Sequence, residues 1–280
     1  MLMKNIKCTK CDQYYDTYLR ACPKCGEPNF NKKATSIPKN ILMFDIVRQI
    51  FLFVVGWAGL FIFSLIFTSI FIPIYSQITG VAIEELSLNL MYYPDLNFWI
   101  NFATYILIFG ILIIIIIPYI KLVFSQFKNT KNYMCGIILG LVLVGVNLLI
   151  SYILGILNIG DNGNQENLSS MVGVSPVLSI VIFAIVGPIC EELTYRLGLF
   201  SICQRSGKIW VSYLISTLIF GLIHFDYFAN DMLVELANLP SYLFAGLILS
   251  FSYHKGGLPA SIIAHIMNNV LAISTLITRN

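Results

Sequence analysis

Residues 187–196 read Gly-Pro-Ile-Cys-Glu-Glu-Leu-Thr-Tyr-Arg, directly after the apolar run VLSIVIFAIV at 177–186. Two adjacent carboxylates, Glu191 and Glu192, thus precede Arg196 in a segment otherwise suited to lipid. An ionisable group inside a span costs a few kcal/mol, so each is a candidate for function. Two further apolar segments carry histidine, as Phe220-Gly-Leu-Ile-His224 and His265-Ile-Met-Asn268-Asn269. Neighbouring helical residues diverge by about 100°, so Glu191 and Glu192 are expected to face different points. Glu192 and Arg196 stand four apart and pair along one face, which leaves Glu191 free. The same spacing puts Phe220 with His224, and His265 with Asn269. Pro188 removes one amide and can kink the helix, making room for water. If the three motifs converge, a carboxylate and an imidazole sharing a water can take its proton. A second imidazole with an asparagine amide supplies donors for a developing oxyanion. Those parts suffice for peptide hydrolysis without a serine or cysteine nucleophile.

The elements that must position these groups are membrane helices. The chain has 280 residues, 58% hydrophobic and 11% charged, a balance that excludes an ordinary soluble domain. Seven candidate spans lie at 46–74, 98–120, 133–158, 176–203, 209–225, 236–253 and 257–277, the fifth short and the sixth the weakest. Lipid offers no partners to backbone amides, so each must be helical. Lysine and arginine then set the orientation. They crowd the segment up to Arg48, the 121–132 loop (Lys121, Lys128, Lys131), the 204–208 turn (Arg205, Lys208) and Lys255. The loops 74–97, 159–175 and 226–235 have none. The alternation places the N-terminus in the cytoplasm and the C-terminus outside, with Arg279 the one mismatch. At about 1.5 Å per residue from the cytoplasmic ends, Glu191, His224 and His265 lie roughly 18, 22 and 12 Å deep, compatible with one site. That placement predicts access from the cytoplasmic face. His254, in a short turn, reads as a solvated residue.

Four of the seven cysteines form two knuckles, Cys8-Thr-Lys-Cys11 and Cys22-Pro-Lys-Cys25-Gly26. Paired knuckles supply four thiolates for tetrahedral zinc, and a cytoplasmic location disfavours disulfides. The segment is too short to bury a core, so metal must provide its folding energy. It resembles the zinc ribbons at the N-termini of many bacterial membrane proteins. Cys135, Cys190 and Cys203 read as small packing residues. The chain divides into a zinc ribbon at 1–30, a polar basic linker at 31–45, N-terminal membrane helices at 46–158 and a catalytic membrane core at 176–277. The expected fold is an all-α polytopic membrane protein of about seven transmembrane helices with a small N-terminal zinc-ribbon head.

Glu-Glu-x3-Arg, Phe-x3-His and His-x3-Asn, in this order on successive apolar segments, resemble the CPBP (Abi) family of intramembrane proteases. That family includes the type 2 CAAX prenyl endopeptidases and bacterial relatives in peptide processing. The resemblance covers about 100 residues, 176–277. It implies that Glu191 activates water together with His224, that His265 and Asn269 stabilise the oxyanion, and that Glu192 and Arg196 support them. An alternative has Glu191, His224 and His265 as three ligands of a catalytic zinc with an open fourth position. Metal-free catalysis is favoured, because one carboxylate does not easily serve as both ligand and base. The expected activity is that of an intramembrane endopeptidase. Its substrate would be a membrane-associated or hydrophobic peptide or protein. The alternatives are a catalytically silent scaffold or regulator and a proton-coupled transporter, the latter opposed by the lack of an internal repeat. Expected partners are the substrate, the lipid bilayer and a cytoplasmic protein at the zinc ribbon. No nucleic acid is expected. The expected location is a bacterial cell membrane.

Overall fold

A computed structural model describes residues 5–8, 10–16, 22–27 and 45–279. The linker expected at 31–45 lies outside the described residues except for Asp45. In the head, strands β1 (Asn5–Lys7) and β2 (Tyr14–Asp16) pair antiparallel, with Ile6 opposite Tyr15. The other elements among the described residues are helices: α1 (Ile46–Thr79), α2 (Ile83–Leu88), α3 (Pro94–Gln126), α4 (Thr130–Ile156), α5 (Gly163–Val172), α6 (Pro176–Gln204) and α7 (Ile209–Leu222). A final helical run, Met232–Arg279, is broken at Gly257, whose φ of 69° and ψ of −168° are not helical. We label its parts α8 (232–256) and α9 (258–279).

The starts and stops follow local chemistry. The Asp45 carboxylate accepts the Arg48 amide at 2.9 Å and so caps α1, which ends at Gly80 in the left-handed region. Proline opens both α3 and α6, where its missing N–H is not needed. Among the described residues five helical runs are long and apolar enough to cross a membrane, with Met232–Thr278 counted as one; α7 is apolar but shorter. The chain is an integral membrane protein. Leu65 and Leu141, 71% and 61% exposed, show why: these faces need lipid, not water.

The break at Gly257 is a reversal. Tyr242 and His265 would stand about 35 Å apart on one straight helix. Instead the Tyr242 ring stacks on His224, and Phe220 touches both His224 and His265. α8 therefore runs antiparallel to α7, with Tyr213 beside His254 at one end and His224 beside Tyr242 at the other. His254 is not the solvated turn residue expected from sequence. Its Nδ1 shares a 2.7 Å hydrogen bond with the Tyr213 hydroxyl. The ring is half-buried near the end of α8, against the Tyr213 ring of α7.

Small residues let the helices close. A Cβ on Gly56 of α1 would lie 1.7 Å from Thr194 Oγ1 of α6. One on Gly136 of α4 would lie 2.8 Å from the Ala260 carbonyl oxygen of α9. Between lipid-facing helices, association depends on such close packing and on polar contacts.

Candidate active site

Helix α6 is not uniformly α-helical. Its backbone is π-wound over Ile180–Val186 and again over Glu192–Phe200, with Pro188 in the α-helical turn between them. Such widened turns concentrate at functional sites. They leave carbonyls to be satisfied from elsewhere, and the Asn269 amide of α9 donates to the Phe183 carbonyl at 3.1 Å.

Glu192 and Arg196 are fully buried and form the expected pair, with Nε 3.2 Å from Oε2. Arg196 also donates from Nη1 to Ser216 Oγ of α7 at 2.9 Å and lies over the Phe220 ring at 4.8 Å. One buried cation thus joins α6 to α7. On its other oxygen, Glu192 Oε1 lies 2.9 Å from His265 Nδ1. A carboxylate at this nitrogen holds the proton on Nδ1 and leaves the Nε2 lone pair outward. Glu191 Oε2 lies 3.7 Å from that Nε2.

The two glutamates therefore do meet one group, contrary to the divergence expected from helix geometry. The 100° argument concerns backbone vectors. His265 sits between them and offers two nitrogens, so each carboxylate takes one. Glu191 is the more open of the two, its side chain 13% exposed against none for Glu192. Its Oε2 is enclosed but has no hydrogen-bond partner. An acceptor facing an acceptor at 3.7 Å needs a shared proton or another donor to stabilise it.

His224 stands in the turn just past α7. Its Nδ1 lies 2.8 Å from the Phe220 carbonyl, which can only accept, so Nδ1 carries the proton and Nε2 is the free lone pair. Glu191, Phe220, His224, His265, Asn268 and Asn269 all line one cavity of about 550 Å³. Asn269 Oδ1 accepts from Asn268, whose own Oδ1 accepts from Asn147 of α4 at 2.8 Å. The structure thus brings all three motifs together. Glu191, His224, His265 and Asn269 lie on the cavity wall, and Glu192 and Arg196 lie behind it.

The cavity continues from Glu191 past Asn147 and Tyr242 to the 159–165 segment. That is the end of the bundle opposite the Arg205, Lys208 and Lys255 turns. Access from the basic face, expected from depth along the helices, is therefore corrected. Helix depth ignores which end of the bundle is filled, and the basic end is plugged by Phe200, Tyr213 and Tyr253 in edge-to-face contact.

Sequence reasoning missed Glu235, Asn162 and Tyr242. Glu235 reads as one more acid of an outer loop, yet it is 1% exposed. It accepts from the Gly163 amide at 2.7 Å, the Asp226 amide at 3.1 Å and Asn162 Nδ2 at 3.3 Å. No local pattern marks it, because its three partners lie in two other segments, at 162–163 and at 226.

In the head, the ligand atoms of Cys8, Cys11, Cys22 and Cys25 lie within 4.8 Å of one another. Each knuckle turns through the left-handed region after its second cysteine, at Asp12 (φ 57°) and Gly26 (φ 74°). The Lys10 amide points at Cys8 Sγ, 3.4 Å away. Desolvation raises the Cys8 thiol, but the Lys10 and Cys11 amides outweigh it and bring the pKa down to about 7. The four sulfurs fit one tetrahedral ion, and thiolate is the form that binds. Among the described residues this is the only group of three or more such side chains close enough to share an ion.

Residues 173–271 match the family described as type II CAAX prenyl endopeptidase Rce1-like. An uncharacterized protein of Mycoplasma capricolum subsp. capricolum is 29% identical over 167 residues, 55% of this chain and 47% of that protein. "Putative membrane peptidase YdiL" of Bacillus subtilis (strain 168) is 27% identical over 114 residues, 40% of this chain and 43% of that protein. The chain thus spans about half the length of the curated relatives it matches. No solved structure matches it. The matched residues include all three motifs and exclude Asn147, Asn162 and the cysteine head. Residues 173–271, which carry all three motifs, are thus similar to the type II CAAX prenyl endopeptidase Rce1-like family over about a third of the chain.

Proposed function

We propose that the chain is an intramembrane endopeptidase that hydrolyses a peptide bond of a membrane-associated or hydrophobic substrate with water activated by Glu191 and His224. The observation that carries this reading is the division of labour between the two glutamates. Glu192 is committed to Arg196 and His265, whereas Glu191 ends on the cavity wall with an unpartnered oxygen. Attack by water puts its oxygen on the carbonyl carbon while its proton passes to Glu191. The same proton then serves the leaving amine.

His224 directs an unprotonated Nε2 into the cavity and holds the water as an acceptor. His265 and the unused N–H of Asn269 are the donors for the oxyanion. His265 donates from Nε2 only once that nitrogen is protonated. Glu192, which holds Nδ1–H, stabilises that imidazolium.

Two imidazoles and a carboxylate also suit zinc by donor type. Their arrangement is more open than the cysteine cluster, and Glu191 is needed as the base, so direct activation of water is the preferred reading. In the head, Cys8, Cys11, Cys22 and Cys25 hold a structural zinc ion. The catalytic core comprises 176–277, and 46–158 form the helices that enclose it. The basic turns support a cytoplasmic N-terminus in a bacterial cell. The cavity then opens toward the outer leaflet, and the head stays free for a cytoplasmic partner.

The test is cleavage of hydrophobic transmembrane peptides by the purified full chain in proteoliposomes. Loss of cleavage in Glu191→Ala and His224→Ala, with fold and expression intact, supports the assignment. Cleavage equal to that of the unaltered chain in both variants overturns it.

A further inference from the structure

The polar network beyond the motif residues converges on His224. The residue is held at three points, two of them on its ring. Nδ1 is held by the Phe220 carbonyl at 2.8 Å. One ring face lies flat on Tyr242, with centroids 4.7 Å apart and planes 12° off parallel. Its backbone carbonyl accepts from Asn162 Nδ2 at 3.4 Å. The last two supports are themselves linked, because the Tyr242 hydroxyl donates to Asn162 Oδ1 at 3.1 Å. Asn162 in turn donates to Glu235, which also gathers the Gly163 and Asp226 amides.

We propose that Tyr242, Asn162 and Glu235 are positioning residues that hold His224 in a single tautomer with Nε2 directed at the cavity. The reason is mechanical. His224 lies beyond the last regular turn of α7, where backbone hydrogen bonds fray and do not fix the ring. An imidazole free to turn about its Cβ–Cγ bond would exchange Nδ1 for the Cδ2 edge and present the wrong atom. A parallel ring at 4.7 Å blocks that rotation. Glu235 then prevents the 159–165 and 226–235 segments from separating. A buried carboxylate that accepts three N–H groups is a strong clamp, because losing it strands all three donors. Asn162 precedes the residues of the family match, whereas Glu235 and Tyr242 of α8 fall within it and outside the three motifs.

The inference rests on the proposed role of His224 as the group that holds the water, and its test is read separately from cleavage. The chain has three histidines, so histidine-selective 15N labelling of the full protein in micelles reports each ring alone. The unaltered protein is expected to show His224 in the Nδ1–H form over the other by about tenfold or more. Tyr242→Leu is expected to reduce that ratio at least about threefold, and Glu235→Gln at least about twofold, with the His254 signals unmoved. Tyr242→Phe keeps the ring and is expected to retain the ratio within about twofold. An unchanged His224 ratio in both Tyr242→Leu and Glu235→Gln overturns the proposal. Equal disturbance of His224 and His254 also overturns it, since that is general loosening. If the His224 signals move as expected but no hydrophobic peptide is cleaved, the clamp stands and the protease reading falls. If both stand, kcat falls in Tyr242→Leu while KM stays within about twofold.

Discussion

Replacing Arg196 by methionine tests the buried pair on which the site rests. The substitution keeps the volume and removes the charge. At the 3.2 Å separation from Glu192, and with an effective dielectric of about 20, the direct attraction is about 5 kcal/mol. Removing one partner of a buried pair costs about 3–5 kcal/mol, because the other charge stays behind. Here Glu192 keeps its contact with His265 Nδ1 at 2.9 Å, which still satisfies one of its oxygens. The expected cost therefore lies near the lower figure, about 3 kcal/mol. Glu192→Gln in the same chain removes the stranded carboxylate. The double variant should thus be less destabilised than the two single losses combined, with a coupling of about 2 kcal/mol. The assay is reversible unfolding in mixed micelles across increasing denaturing detergent, followed by far-ultraviolet dichroism for all four members of the cycle. Losses that add to within about 0.5 kcal/mol would refute the reasoning, since they would mean that the two side chains do not interact.

Gly136→Ala should destabilise the bundle by about 1–3 kcal/mol, because its Cβ would meet the Ala260 carbonyl of the neighbouring helix. Gly145→Ala, with open space around it, should not, and the same unfolding assay compares them. At the start of α1, burial raises the Asp45 carboxyl, but the Arg48 amide and guanidinium and the Tyr119 hydroxyl outweigh it and leave its pKa below the ordinary value. A depressed folded pKa gives stability that is complete above the unfolded value of about 3.9 and is lost as pH falls through the folded one. Hydrogen-exchange protection of the first turn of α1 should therefore hold from neutral pH down to about 5 and weaken below about 4, and Asp45→Asn should abolish that dependence. The purified chain should carry about one zinc ion by elemental analysis and lose it in Cys8→Ser. Far-ultraviolet helicity should survive both that substitution and chelation, because the helices share no ligand with the head.

Much of the site is legible in the sequence, since the Glu192–Arg196 and Phe220–His224 relations are local helix spacings. The Gly-Gly-Leu-Pro stretch at 256–259 likewise marks the reversal that makes α8 and α9 separate membrane helices. The adjacent glutamates depart from the sequence expectation for a physical reason. Divergence of backbone vectors does not prevent two long side chains from reaching opposite nitrogens of one ring. The π-wound turns of α6 left no mark in a 3.6-residue pattern. Glu235 was illegible because its burial depends on segments 72 residues away in sequence, around Gly163. The direction of the cavity was likewise set by which aromatic side chains fill one end, a property of packing and not of span order.

The central claim is that Glu191 does the chemistry and Glu192 holds the site. It is tested most directly by measuring cleavage rate per folded molecule and unfolding free energy for Glu191→Gln and Glu192→Gln in parallel. The account predicts that Glu191→Gln loses cleavage by about a thousandfold, as for a general base, at unchanged stability. Glu192→Gln should chiefly lose stability, by about 3 kcal/mol, as for a broken buried pair. Cleavage by Glu191→Gln at the rate of the unaltered protein would contradict the account.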